Sequence, residues 1–160
     1  IDHPVQRAAA RGIEELSGEL IAATGVDGCG APVAAISLVG LARAFSRMVL
    51  APADSAPGRV ARATPAHPVH VGGTGRDITA FMSALPGAIA KDGAESVHAL
   101  ALPDGRAAAV KVADGSERAR AGVVLALLRH LGVSDEVALA ATPAPILGGG
   151  HPVGTVQAVF

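Results

Sequence analysis

A chain of 160 residues is enough for one compact domain and short for two. Half of the residues are hydrophobic and 17% are charged, which excludes a disordered chain. The net charge of −1, with no Lys/Arg cluster interleaved with aromatics, excludes a nucleic-acid-binding surface.

The first element is a helix over residues 4–19. Asp2 or His3 caps it, Pro4 takes the first helical position, and Val5, Ile13, Leu16 and Leu20 recur on about one face. Thr24 to Pro32 reads as a connection, its glycines and proline allowing backbone shapes that other residues resist. Residues 33–50 give the clearest helix, with Leu38, Leu41, Phe45 and Met48 on one buried stripe. Gly40 and Ala44 there leave room for a neighbour's close approach. Residues 51–71 carry Pro52, Pro57, Pro65 and Pro68 and read as a flexible surface loop, longer than most connections.

Gly72-Gly73-Thr74-Gly75 then leads into a helix over residues 76–89, kinked near Pro86. A hairpin follows, residues 97–102 and 107–112 flanking Pro103-Asp104-Gly105, where Pro presets φ and Gly supplies φ > 0. Ser116 caps a helix that runs to Leu131 and is closed by Gly132. A short helix from Ser134 and an extended Gly/Pro tail end the chain, with further short strands expected near residues 69–71 and 153–159. The fold class is therefore α+β, with helices packed on an antiparallel sheet. Two clear strands make a poor sheet alone, so a larger one is implied. With no Trp or Tyr and three Phe, its core is built from small aliphatic side chains that bury little area each.

One cysteine, Cys29, rules out an internal disulfide framework and fits a reducing, cytoplasmic compartment. No signal peptide or anchor is visible. The uncharged stretch over residues 137–160 is too broken by proline and glycine to span a membrane as a helix.

The candidate chemistry is sparse. His67-Pro-Val-His70 pairs two imidazoles, and Cys29 and His3 could complete a zinc site. Pro68 opposes the regular helix that would align the pair, so solvated loop histidines are the simpler reading. Gly72-Gly73-Thr74-Gly75-Arg76-Asp77 before a helix resembles an anion-binding turn, for a carboxylate as well as for a phosphate. A tight turn with Asp77 in the first helical turn explains it equally. No Ser sits in a Gly-x-Ser-x-Gly elbow and no Ser-x-x-Lys occurs. Lys91 ends an apolar segment and would serve as a base if desolvated, or as a solvated helix-end lysine if not.

Six segments in order resemble the Rhizobium-type L-asparaginases, the type II asparaginase family, and their actinobacterial members in particular. They are Asp2-His3-Pro4-Val5-Gln6, Val26-Asp27-Gly28-Cys29-Gly30-Ala31-Pro32, Gly73-Thr74-Gly75-Arg76, Ile89-Ala90-Lys91-Asp92-Gly93-Ala94-Glu95, Val110-Lys111-Val112-Ala113-Asp114-Gly115 and Leu147-Gly148-Gly149-Gly150. The resemblance implies the C-terminal portion of a serine-β-lactamase/glutaminase-like fold and hydrolysis of L-asparagine to aspartate and ammonia. The family's serine nucleophile, its Ser-x-x-Lys segments and a Cys-x-x-Cys-x-Gly-Lys-His segment belong to an N-terminal half, and none occurs here.

What carries over is Lys91 as a catalytic residue supporting the serine chemistry, and Asp27, Gly28 and Cys29 as a substrate-binding loop. Asp27 would grip the α-ammonium of the substrate. In characterised relatives the loop cysteine joins a second cysteine and a lysine around zinc, so Cys29 is a candidate zinc ligand whose partners lie outside this chain. No other cofactor is implied. The expectation is an asparaginase that works with its N-terminal half, forms a homodimer, and binds neither nucleic acid nor membrane. The alternatives are a non-catalytic amino-acid-binding domain and a truncated fragment.

Overall fold

The computed structural model describes residues 1–138 and 146–159. Its elements run α1 (Pro4–Ser17), β1 (Ala23–Val26), β2 (Pro32–Ala35), α2 (Leu38–Leu50), α3 (Ala56–Ala66), α4 (Pro68–Gly72), α5 (Asp77–Ala84) and β3 (Ile89–Gly93). After a 3₁₀ turn at Ala94–Ser96 come β4 (Val97–Ala101), β5 (Ala107–Lys111), a second 3₁₀ turn at Glu117–Ala119, α6 (Arg120–His130), α7 (Asp135–Ala138), β6 (Ile146–Gly148) and β7 (His151–Gly154). The α+β class holds: helices pack with three small antiparallel sheets, β1-β2, β3-β4-β5 and β6-β7.

The β3-β4-β5 meander is the centre of the molecule. Side chains alternate across a strand, and the register places Ala90, Leu100 and Ala108 on one face and Ile89, Ala101 and Ala107 on the other. The first face meets α5 and α6 through Ile78, Phe81, Met82, Val124 and Leu128, all 3% exposed or less. The second meets α2 and α3 through Phe45, Met48, Val49 and Ala61. Fully burying each large side chain of this core contributes about 1.5–3 kcal/mol. The β4–β5 turn closes as its residues dictate: Gly105 adopts φ 92 and its N–H bonds the Leu102 carbonyl at 2.9 Å.

Helix α1 is capped by the His3 imidazole, whose Nδ1 accepts from the Val5 N–H at 3.2 Å. Its C-terminus is bound by α2. Arg43 donates to the Ser17 carbonyl at 2.6 Å and Arg47 to the Glu15 carbonyl at 2.6 Å, satisfying carbonyls that a helix end leaves free. Glu19 accepts from the Ser37 hydroxyl at 2.8 Å and lies against buried Gly40, where a Cβ would sit 2.6 Å from its carboxyl carbon. The Ser37 N–H and hydroxyl hold the Glu19 carboxyl below its usual range. Gly40 thus does admit a close neighbour, and that neighbour is a side chain.

Residues 51–71 are the largest departure from expectation, because most of them are helical. Ser55 caps α3, accepting from the Gly58 N–H at 3.2 Å, and Pro57 lies in the first turn, where no N–H is needed. Pro65 falls one residue before the end of α3, and Pro68 opens α4. The prolines punctuate helices rather than prevent them. Gly58 is required by contact, since a Cβ there would collide with the Pro52 carbonyl oxygen.

Other boundaries shift as well. Residues 32–35 form β2 rather than the start of α2, residues 69–71 lie in α4 rather than in a strand, and α5 stops at Ala84. Ile89 and Lys91 belong to a third strand of the central sheet. In the tail, strand pairing covers His151–Gly154 opposite Ile146–Gly148 and does not reach 159. Part of the uncharged stretch over residues 137–160 lies outside the described residues.

Candidate functional site

The Asp27-Gly28-Cys29 segment is the turn between β1 and β2. The Asp27 N–H bonds the Ala31 carbonyl at 2.8 Å, the Gly30 N–H bonds the Asp27 carbonyl at 2.8 Å, and Gly30 takes φ 81. This is the hairpin geometry in which a glycine in the left-handed region closes the turn. The Asp27 carboxylate accepts from the Gly28 N–H at 2.8 Å and from the Cys29 thiol at 3.6 Å. All three residues are exposed, so Asp27 presents its charge to solvent on a short, pinned turn.

Lys91 stands on β3, an edge strand of the central sheet. Its side chain is exposed and Nζ donates to the Asp92 carbonyl and to the Asp92 carboxylate, each at 2.8 Å. Desolvation, the route by which an apolar approach could make it a base, is therefore not what its surroundings supply. No hydrogen bond or ion pair among the described residues joins it to the Asp27–Cys29 turn.

Asp92 opens a network that sequence reading did not find. Arg76 donates to its carboxylate at 2.6 Å, and Arg120 approaches the same group at 3.8 Å. Arg120 is buried and donates to Asp77 at 3.0 Å and to Glu117 at 3.0 Å. Burial pushes the Asp92 carboxyl up, but hydrogen bonds from Lys91 and Arg76, with the Lys91 charge, outweigh it and hold the group down at about 2. Bonding to Asp92 in turn raises the Arg76 guanidinium. One signal was available in the sequence. Arg120 precedes Val124 and Leu128 at four-residue spacing on the apolar stripe of its helix, where a charge needs partners.

His98 completes the group. It pairs with Asp92 in the β3–β4 register, is 3% exposed, and neither ring nitrogen has a hydrogen-bond partner among the described residues. Burial drives its pKa from the usual 6.5 to about 4, Arg120 and Lys91 adding to that while Asp77 and Asp92 oppose it. Just before it, Glu95 and Ser96 take φ 55 and φ 58, and the Ser96 hydroxyl is buried without a hydrogen-bond partner among the described residues. Lys111 pins this strained turn by donating to the Glu95 carbonyl at 2.8 Å.

The remaining motifs resolve simply. His67 and His70 stand edge to face with ring centroids 5.9 Å apart, because Pro68 starts α4 instead of breaking it. The Gly72–Arg76 segment turns through Gly73 at φ 93 and Gly75 at φ 71 into α5, whose first turn holds its own anion: Asp77 accepts from the Ile78 N–H at 2.9 Å. A trough of about 690 Å³ opens between β2 and the central sheet, lined by Val33, Ala35, Leu38, Leu41, Val97 and Lys111. It lies on the sheet face that carries Lys91 in the register, but Lys91 does not line it.

Zinc does not fit what this chain supplies. Cys29 and Asp27 offer two donors, and no group of three His, Cys, Asp or Glu forms among the described residues. A structural zinc site takes four ligands and a catalytic one three, so no step is assigned to a metal.

No helix among the described residues is long and apolar enough to cross a membrane. The family model for L-asparaginase II matches residues 1–158, and no curated protein matches the chain.

Proposed function

The chain belongs to the L-asparaginase II family, and from that premise we propose that it supplies part of an asparaginase site, hydrolysing the side-chain amide of L-asparagine to aspartate and ammonia. The family match over residues 1–158 carries the proposal. The chain has no Ser-x-x-Lys, so the nucleophile is assigned to an N-terminal segment of the kind the resemblance implies. In the complete site Asp27 receives the substrate's α-ammonium, with Gly28 and Cys29 shaping the same turn. The exposure of Asp27 and its pinned backbone support this, since a carboxylate paired with an ammonium makes a charge-assisted hydrogen bond. Lys91 stabilises charge beside the serine. A serine-β-lactamase-like frame, a homodimer and a cytoplasmic location belong to the same proposal.

The lack of a nucleophile motif also favours a second reading, an amino-acid-binding domain without hydrolysis. Both readings expect L-asparagine to bind this chain. A ligand that binds only the folded form at 100 times its Kd adds about 2.7 kcal/mol of stability. Saturating L-asparagine is therefore expected to raise the melting temperature by several degrees, and Asp27→Asn to remove most of that rise. An unshifted melting temperature, or an equal rise in Asp27→Asn, rejects the assigned role of the turn.

A further inference from the structure

The side chains of Lys91 and Asp92 leave β3 on opposite faces, because neighbours on a strand alternate. Yet the Lys91 Nζ reaches both the carbonyl and the carboxylate of Asp92 at 2.8 Å. Both contacts are made on β3, an edge strand of the central sheet. Asp92 is held at its post from the other side. Arg76, at 2.6 Å, occupies the carboxylate oxygen that Lys91 does not, and buried Arg120 backs the same oxygen at 3.8 Å. Arg120 cannot drift, since Asp77 and Glu117 each hold it at 3.0 Å.

We infer that Asp92 is a positioning residue for Lys91: its carboxylate, fixed by Arg76 and Arg120, holds the Lys91 amine at the open edge of the central sheet. The consequence for catalysis, which rests on the asparaginase reading, is that Lys91 acts through its positive charge at a fixed place rather than as a roaming proton acceptor. The positioning itself does not depend on that reading and is tested without activity.

The chain has two lysines, Lys91 and Lys111, and both amines are tied to backbone carbonyls. Lys111 has no carboxylate in its pair of hydrogen bonds, so it serves as an internal reference. The intact chain is treated briefly with an acetylating N-hydroxysuccinimide ester, and acetylation at each lysine is followed by peptide mass spectrometry. In Asp92→Asn the rate at Lys91 relative to Lys111 is expected to rise about threefold, the size of effect a half-exposed ion pair gives. Asp92→Glu, which keeps the charge, is expected to restore most of the original ratio.

A merely structural role would loosen the fold and speed both lysines together. An unchanged ratio in Asp92→Asn, a parallel rise at both lysines, or an Asp92→Glu ratio no lower than that of Asp92→Asn overturns the inference. A chain that shows the Lys91-specific rise but releases no ammonia in any combination would instead reject the asparaginase reading and leave the positioning standing.

Discussion

Arg120→Met is expected to destabilise the chain by about 3–5 kcal/mol, the loss typical of removing one member of a buried ion network. The Arg120 side chain is 5% exposed and answers three carboxylates: Asp77, Glu117 and, at longer range, Asp92. Methionine fills similar volume, so the penalty comes from charges left unpaired rather than from a cavity. Asp77 is the partner most affected, being 28% exposed and the acceptor of three contacts from the guanidinium. With domain stabilities of about 5–15 kcal/mol, a loss of this size brings the chain close to unfolding at ambient temperature. The double variant Arg120→Met/Asp77→Asn should recover part of it, because the partly buried orphan charge that took most of the guanidinium's hydrogen bonds is gone. Urea denaturation of the single and double variants measures both effects. A midpoint for Arg120→Met within error of the parent chain would contradict the network.

The second large effect is a loss of stability on mild acidification, carried by His98. In the unfolded chain its imidazole binds a proton at about 6.5; in the fold that event is postponed to about 4. Between these values the unfolded state holds the extra proton, so the stabilisation is complete above the unfolded value and is lost as pH falls toward 4. The separation corresponds to roughly 3 kcal/mol. The charged groups that face His98 are Asp77 from α5, Arg120 from α6, and Asp92 and Lys91 from β3. Of these, Asp92 keeps its charge throughout the window, because its own carboxyl is held at about 2. His98→Leu is therefore expected to flatten unfolding free energy against pH between 6.5 and 4. A parent chain already flat in that range, or a His98→Leu chain as steep as the parent, would contradict the assignment.

Legibility in the sequence followed the range of the forces involved. The β4–β5 hairpin was readable because Pro103-Asp104-Gly105 writes its turn locally, and α1 because Pro4 and His3 mark its start. The same prolines misled at residues 51–71. Proline bars a helix interior but suits a helix start, and the capping serine at Ser55 settles which applies. The apolar run before Lys91 fits a helix or a buried strand alike, and only pairing with β4 decides it.

The site divides in the same way. Asp27 and Cys29 stand on a turn that their own glycines specify, so their exposure was foreseeable. The network around Asp92 was not. Arg76, Asp92 and Arg120 lie 16 and more residues apart in places, and meet because the α5 and α6 face of the sheet brings them together. His98 gave no local signal: β4 is buried on both faces, and the burial of any one residue depends on what packs above it.

Ammonia release from L-asparagine decides whether the chain is part of an asparaginase. The purified chain would be assayed alone, and again with a family N-terminal segment carrying Ser-x-x-Lys. Silence from the chain alone, activity on mixing, and loss of most of that activity in Lys91→Ala are expected. Ammonia released by the chain alone would place the nucleophile within these 160 residues and contradict the assignment. No ammonia from either sample, with the chain folded and the segment competent toward another family C-terminal half, would contradict the asparaginase reading itself.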